Sequence, residues 1–173
     1  MEGWTRMLVP GRNAAFDKAV NTYFNDLYRF AYWLCRNRWQ AEDLVQEALL
    51  RAWRGWPGLR EERAARAWLF TIVHREFRRA GWRAARVEPV SDSDDLAVNP
   101  DPTLAMDIER ALSELPEASR EALLMQVLGG FSCSEISDVL GASEGAVMTR
   151  LTRTRQALRR RLDPPDANGI KQA

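Results

Sequence analysis

Residues 131–162 read FSCSEISDVLGASEGAVMTRLTRTRQALRRRL, and the fold of the chain follows from them. Ser132 can cap a helix, and Glu135 three residues on completes an S-x-x-E capping box. Ile136, Val139 and Leu140 supply an apolar side. Gly141 suits the left-handed stop that ends such a helix. Ser143 then caps a second helix whose apolar side is Val147, Leu151, Leu158 and Leu162. Two short helices across a tight turn make a helix-turn-helix, a motif whose second helix enters the major groove of DNA. From Gly145 to Leu162 there is no acidic residue, against Arg150, Arg153, Arg155, Arg159, Arg160 and Arg161. By itself the same stretch also suits a solvated terminal helix with a charge run.

The rest of the chain shows a charge segregation that its formal net charge of +1 over 173 residues conceals. Residues 60–86 hold Arg60, Arg63, Arg66, Arg75, Arg78, Arg79, Arg83 and Arg86 against Glu61, Glu62 and Glu76. Residues 87–102 hold Glu88, Asp92, Asp94, Asp95 and Asp101 with no basic residue. Two basic surfaces with an acidic joint suggest a nucleic-acid binder. The only lysines are Lys18 and Lys171, and arginine suits bidentate contact with phosphate and guanine. Cys35 and Cys133 lie far apart, so neither a disulfide nor a metal site is expected, and no cofactor is implied. The lone His74 reads as a polar surface residue without a catalytic partner. No apolar run has the length of a signal peptide core or a membrane span, which points to a soluble, cytoplasmic protein.

Periodicity is helical almost throughout, so the expected fold is all-α with two small helical domains. Val20, Phe24, Leu27, Phe30, Ala31 and Leu34 place a helix over Ala14 to Cys35. A turn at Asn37-Arg38-Trp39 leads to a second helix from about Ala41 to Arg54, with Leu44, Val45, Ala48, Leu49, Ala52 and Trp53 inward. Pro57-Gly58 breaks it, and a third helix runs from about Ala64 to Trp82, burying Ala65, Leu69, Ile72, Val73, Phe77 and Ala80. Helices over Thr103 to Leu115 and Pro116 to Leu128 precede the helix-turn-helix. The domains are therefore an N-terminal extension (1–12), a first domain (13–86), an acidic linker (87–102), a second domain (103–163) and a disordered tail (164–173). The linker's prolines, serines and aspartates oppose regular structure.

Two surfaces in the first domain carry chemistry. Asp43, Gln46, Glu47, Leu50 and Arg54 share the outer face of the second helix, so an apolar knob sits among carboxylates. That is either an ordinary exposed leucine or a docking face for a basic protein. Trp56, Arg60, Arg66, Trp68, Phe70, Arg75, Arg78, Arg79 and Trp82 mix arginines with aromatics. Such a set can track a backbone and stack on unpaired bases, or it can be part core and part solvated face.

Both halves together resemble the sigma-70 family of RNA polymerase sigma factors, in the small extracytoplasmic-function group. The resembling residues are AEDLVQE (41–47) with LRAW (50–53) and RAWLFTI (66–72), then LPE (115–117) with REALL (120–124). Phe131-Ser132, Glu135-Ile136, Leu140-Gly141 and GAVMTRL (145–151) follow in family order. The resemblance covers about Phe16 to Leu162. It implies that the first domain is region 2, docking on the clamp of the largest polymerase subunit through Asp43, Gln46, Glu47, Leu50 and Arg54. The loop 56–64 and the following helix would then hold the melted -10 strand through Trp56, Arg60, Arg66, Trp68, Arg75, Arg78 and Arg79. The second domain would be region 4, contacting the flap of the second-largest subunit. It would read the -35 duplex through Ser143, Met148, Thr149, Arg150, Thr152, Arg153 and Arg155, with Arg150 and Arg155 placed for phosphates. An anti-sigma factor is the further partner it implies.

Two positions depart from the family. Lys or Arg commonly stands where this chain has Met148, and an apolar tip there favours a thymine methyl; Asn commonly stands where it has Arg75. The alternative reading is a stand-alone helix-turn-helix regulator. Such a regulator needs a receiver or ligand pocket in the first half, where no β pattern exists.

Overall fold

The computed structural model describes residues 14–79, 81 and 102–162, and these are all-α, without a strand. They fall into two compact units. The extension, the tail and the acidic linker lie outside the described residues, except that Pro102, the last residue of the expected linker, already opens a helix.

The first unit is built from α1 (Ala14–Cys35), α2 (Arg38–Gly55) and α3 (Ala65–Arg79). Phe16, Leu27, Phe30, Leu44, Leu69 and Phe70 are its largest fully buried side chains, and the rings of Phe30 and Phe70 lie 5.1 Å apart. The joint between α1 and α2 is two residues long. Arg36 takes a positive φ of 57°, and its amide donates to the Tyr32 carbonyl at 2.7 Å. Asn37 then caps α2: its Oδ1 accepts the Gln40 amide at 3.0 Å. The cap starts α2 at Arg38 rather than near Ala41, so Trp39 is helical and not part of a turn. After α2, short 3-10 turns at Trp56–Gly58 and Glu62–Ala64 carry the chain to α3.

The inner face of α3 differs from the periodicity reading. Phe70, His74 and Glu76 are buried, whereas Ile72 and Phe77 are half-buried. His74 is therefore not a surface residue. Glu76 tolerates its position because Arg51 of α2 and Arg79 bond its two carboxylate oxygens at 2.8 and 2.9 Å.

The second unit comprises α4 (Pro102–Ser113), α5 (Glu117–Val127), α6 (Cys133–Leu140) and α7 (Glu144–Leu162). Met125, Ile136, Val147 and Leu151 fill its centre. The capping box forms as the sequence demands. The Ser132 amide donates to Glu135 Oε2 at 2.8 Å, and the Glu135 amide donates to Ser132 Oγ at 3.2 Å. Gly141 ends α6 at φ 63°, ψ 36°, where a side chain would be strained. Ser143 Oγ accepts the Ala146 amide at 3.3 Å and starts α7. Thr154 joins Val147 and Leu151 on the buried side of α7, while Leu158 is half-buried and Leu162 exposed.

Candidate nucleic-acid and polymerase interfaces

The outer face of α2 is a single stripe. Asp43, Gln46, Leu50 and Arg54 are exposed and Glu47 is half-buried, with Leu50 at 60% exposure. Trp39 belongs to the same stripe and is 69% exposed. It stands four residues before Asp43 and eleven before Leu50, spacings that keep one helix face. The sequence reading missed it only by placing it in the turn. Two large apolar side chains among carboxylates, on a helix whose other side is core, form a surface with no packing role in its own unit.

The aromatic-basic set of α3 divides. Trp56 is buried at 6% exposure, edge-on to Phe16 and Trp68 with ring centroids 5.2 and 5.9 Å away. Trp53 packs on the other edge of Phe16 at 5.1 Å. Trp56 is thus the anchor from which residues 57–61 depart. Gly55 allows this packing, because a Cβ there would meet the Trp68 ring at 3.2 Å. Phe70 is core. Arg75, Arg78 and Arg79 are exposed on the side of α3 that also carries half-buried Trp68 and Thr71, and Arg60 is exposed on the loop. Arg66 is half a turn out of phase with Arg75. Its guanidinium lies 3.5 Å from Asp26 of α1 and 5.9 Å from the centre of the Tyr23 ring. The structure therefore gathers Trp68, Arg75, Arg78 and Arg79 and leaves Arg66 apart from them.

On α7 the expected readers do share a face. Met148, Thr149, Thr152 and Arg153 are all exposed, opposite buried Val147, Leu151 and Thr154. Exposed Gln156 continues the face one turn beyond Thr152 and was not foreseen. A shallow concavity lined by Ser119, Gly145, Ala146, Thr149, Arg150 and Arg153 runs beside the start of α7. Ser119 comes from α5 and has no signal in the motif itself. Space beside Gly145 is open, since a Cβ would meet nothing within 4 Å. Arg155 bonds the Gln126 side chain of α5, and Arg161 meets Glu114 at 2.9 Å, so these two arginines also brace α7 against its own unit.

Electrostatics adds two points. Burial pushes the Cys35 thiol up to about 12, which makes it a poor nucleophile. Hydrogen bonds from the Ser132 amide and hydroxyl hold the Glu135 carboxyl below its ordinary value. No group of His, Cys, Asp or Glu among the described residues could hold a metal ion, and no described helix is long and apolar enough to cross a membrane.

Comparison with known proteins gives a consistent picture. The family model for Sigma-70 region 2 matches residues 19–87, and that for Sigma-70, region 4 matches residues 105–158. The extracytoplasmic-function (ECF) RNA polymerase sigma factor SigM of Mycobacterium tuberculosis is 32% identical over 158 residues, spanning 89% of this chain and 80% of its own. The ECF sigma factor EcfG of Rhodopseudomonas palustris is 36% identical over 140 residues, 76% of each chain. Among solved structures, the sigma factor RpoE in complex with the anti-sigma factor NepR, from Bartonella quintana, is similar with a TM-score of 0.73. It shares 27% identity and covers 87% of this chain and 98% of its own. CnrH in complex with the cytosolic domain of CnrY is similar with a TM-score of 0.65 at 26% identity, covering 92% of this chain and 94% of its own.

Proposed function

The chain belongs to the sigma-70 family of RNA polymerase sigma factors, in the extracytoplasmic-function group, and on that premise we propose how its surfaces divide the work of promoter recognition. It binds core RNA polymerase and directs it to specific promoters. The α2 stripe of Trp39, Asp43, Gln46, Glu47, Leu50 and Arg54 docks on the polymerase clamp. Its carboxylates steer it to a basic partner, and its two apolar side chains supply the buried centre of the contact. Loop residues 57–61 with Trp68, Arg75, Arg78 and Arg79 hold the melted -10 strand. Unpaired bases lose their stacking, and aromatic and guanidinium faces return about 1–3 kcal/mol per base. Trp56 shapes that loop from beneath. On α7, Met148, Thr149, Thr152, Arg153 and Gln156 face the -35 base edges, while Ser143, Arg150, Arg155 and Ser119 of α5 meet the backbone.

The observation that carries this reading is the presence in one chain of an acid-rimmed apolar stripe on α2 and a capped helix-turn-helix with a basic outer face. A regulator that worked alone on duplex DNA would have no use for the first. The chemistry of RNA synthesis belongs to the polymerase, so the chain is not itself an enzyme, and it acts in the cytoplasm. Residues 87–101 join the two units in sequence. At full extension these 15 residues would reach about 50 Å, close to one and a half turns of duplex. By likeness to RpoE in complex with the anti-sigma factor NepR, an anti-sigma factor is a further partner of this chain, and the exposed apolar side chains Trp39 and Leu50 make the α2 stripe the surface we assign to it.

Run-off transcription tests the proposal, with core polymerase and fragmented genomic DNA, with and without the full chain. Discrete new transcripts that vanish with Asp43→Arg or Arg153→Ala are expected. Tight duplex binding without any transcript would replace this reading with the stand-alone regulator.

A further inference from the structure

We infer that Met148 and Thr152 form a paired apolar reader that selects the C5-methyl groups of thymines on neighbouring base pairs of the -35 duplex. The inference rests on the reading of α7 as the recognition helix and specifies what that helix prefers. Met148 is 55% exposed on the outer face of α7. Thr152 stands four residues on, along the same face. Its hydroxyl donates to the Met148 carbonyl at 2.9 Å, so its proton is committed to the main chain. What Thr152 offers a base edge is its methyl group and an oxygen lone pair. The two side chains lie about 6 Å apart along the helix axis. Base pairs stack about 3.4 Å apart, so the pair spans one or two steps.

Thymine alone among the four bases shows an apolar group in the major groove. A methionine thioether is soft and adapts its shape to a methyl group. Set against guanine O6 and N7 or cytosine N4, the same side chain strips water from polar atoms and returns no hydrogen bond. Selection thus comes from attraction to one base and a desolvation cost at the others. Arg155 and Arg159 follow on the same side of α7, one and two turns beyond Thr152, and both are exposed, which suits a phosphate-bearing duplex as the occupant. That duplex is DNA, because the RNA major groove is too narrow for a helix and uracil carries no methyl group.

Deoxyuridine provides the test, since it removes the methyl group and leaves every hydrogen-bonding atom. In a promoter found by run-off transcription, each -35 thymine is replaced by deoxyuridine in turn. Holoenzyme made from core polymerase and the full chain is then competed between the duplexes. Two sensitive positions within two base-pair steps are expected, each weakened about fourfold, the equivalent of ~0.8 kcal/mol for one buried methyl group. Met148→Ala should abolish sensitivity at one position. Thr152→Ser, which keeps the hydroxyl and loses only the methyl group, should abolish it at the other. A single sensitive position, none, or sensitivity that survives either variant overturns the paired reader while transcription from the thymine promoter stands. Absence of promoter-directed transcripts overturns the underlying reading and this inference with it.

Discussion

Glu76 of α3 and Arg51 of α2 meet at 2.8 Å, with the carboxylate buried at 5% exposure and the guanidinium still partly in water. The same carboxylate holds Arg79 at 2.9 Å, so one buried charge ties two helices and an arginine of the proposed -10 surface. Glu76→Gln keeps the shape and removes the charge. It should lower the stability of the α1–α3 unit by about 1–3 kcal/mol, because hydrogen bonds to a charged group are lost in a dry site. Tryptophan fluorescence in urea is the measurement. All seven tryptophans lie between residues 4 and 82, so the signal reports that half of the chain alone.

Trp56 and Arg60 stand four residues apart and should separate fold from function. Trp56→Ala empties the space between Phe16 and Trp68 and should cost about 3–5 kcal/mol in the same denaturation experiment. Arg60→Ala, at an exposed position, should shift stability by less than about 0.5 kcal/mol. Its effect should appear as weaker capture of a single-stranded -10 oligonucleotide by holoenzyme. Equal stability losses in the two variants would contradict the anchoring role of Trp56.

The α2 stripe predicts a binding loss without a folding loss. Leu50→Asp and Trp39→Ala remove the two exposed apolar side chains and should each weaken association with core polymerase at least tenfold, about 1.4 kcal/mol or more. Their urea midpoints should stay at the wild-type value. Titration of labelled chain into core polymerase measures the first quantity. Full retention of affinity in Trp39→Ala would confine the contact to the later turns of α2.

Ser132→Ala removes one half of the capping box and should cost the α4–α7 unit about 1 kcal/mol. It should also change the pH response. Bonds from Ser132 lower the folded-state pKa of Glu135, so their stabilisation is fully present above the ordinary carboxylate value of about 4.3. It is lost as pH falls through the depressed folded value. An NMR titration of Glu135 should find its midpoint below the ordinary value in the wild type and displaced upward in Ser132→Ala.

Much of this was legible from residue order because local rules and packing agree. The capping box at Ser132 and Glu135, the stop at Gly141 and the buried Val147 and Leu151 each follow from chemistry within a few residues of themselves. The misses come from one local cap and from packing by distant parts of the chain. Asn37 begins α2 early by binding the Gln40 amide, and that brings Trp39 onto the outer face. Arg66 looks like its neighbours in a basic run, but helix phase puts it half a turn from Arg75, on the side of α3 where it meets Asp26 and Tyr23 of α1. Trp56 and Phe70 read as stacking candidates until Phe16 and Phe30 claim them for the core. Ser119 reaches the α7 surface only through the packing of α5 beside it.

The brevity of the joint at Arg36 and Asn37 also governs which length changes the chain can absorb. Only these two residues separate α1 from α2. One residue inserted or deleted there would disturb the Arg36 turn and the Asn37 cap that together set where α2 begins against α1. A change of length at this joint should therefore cost the α1–α3 unit more than a substitution there.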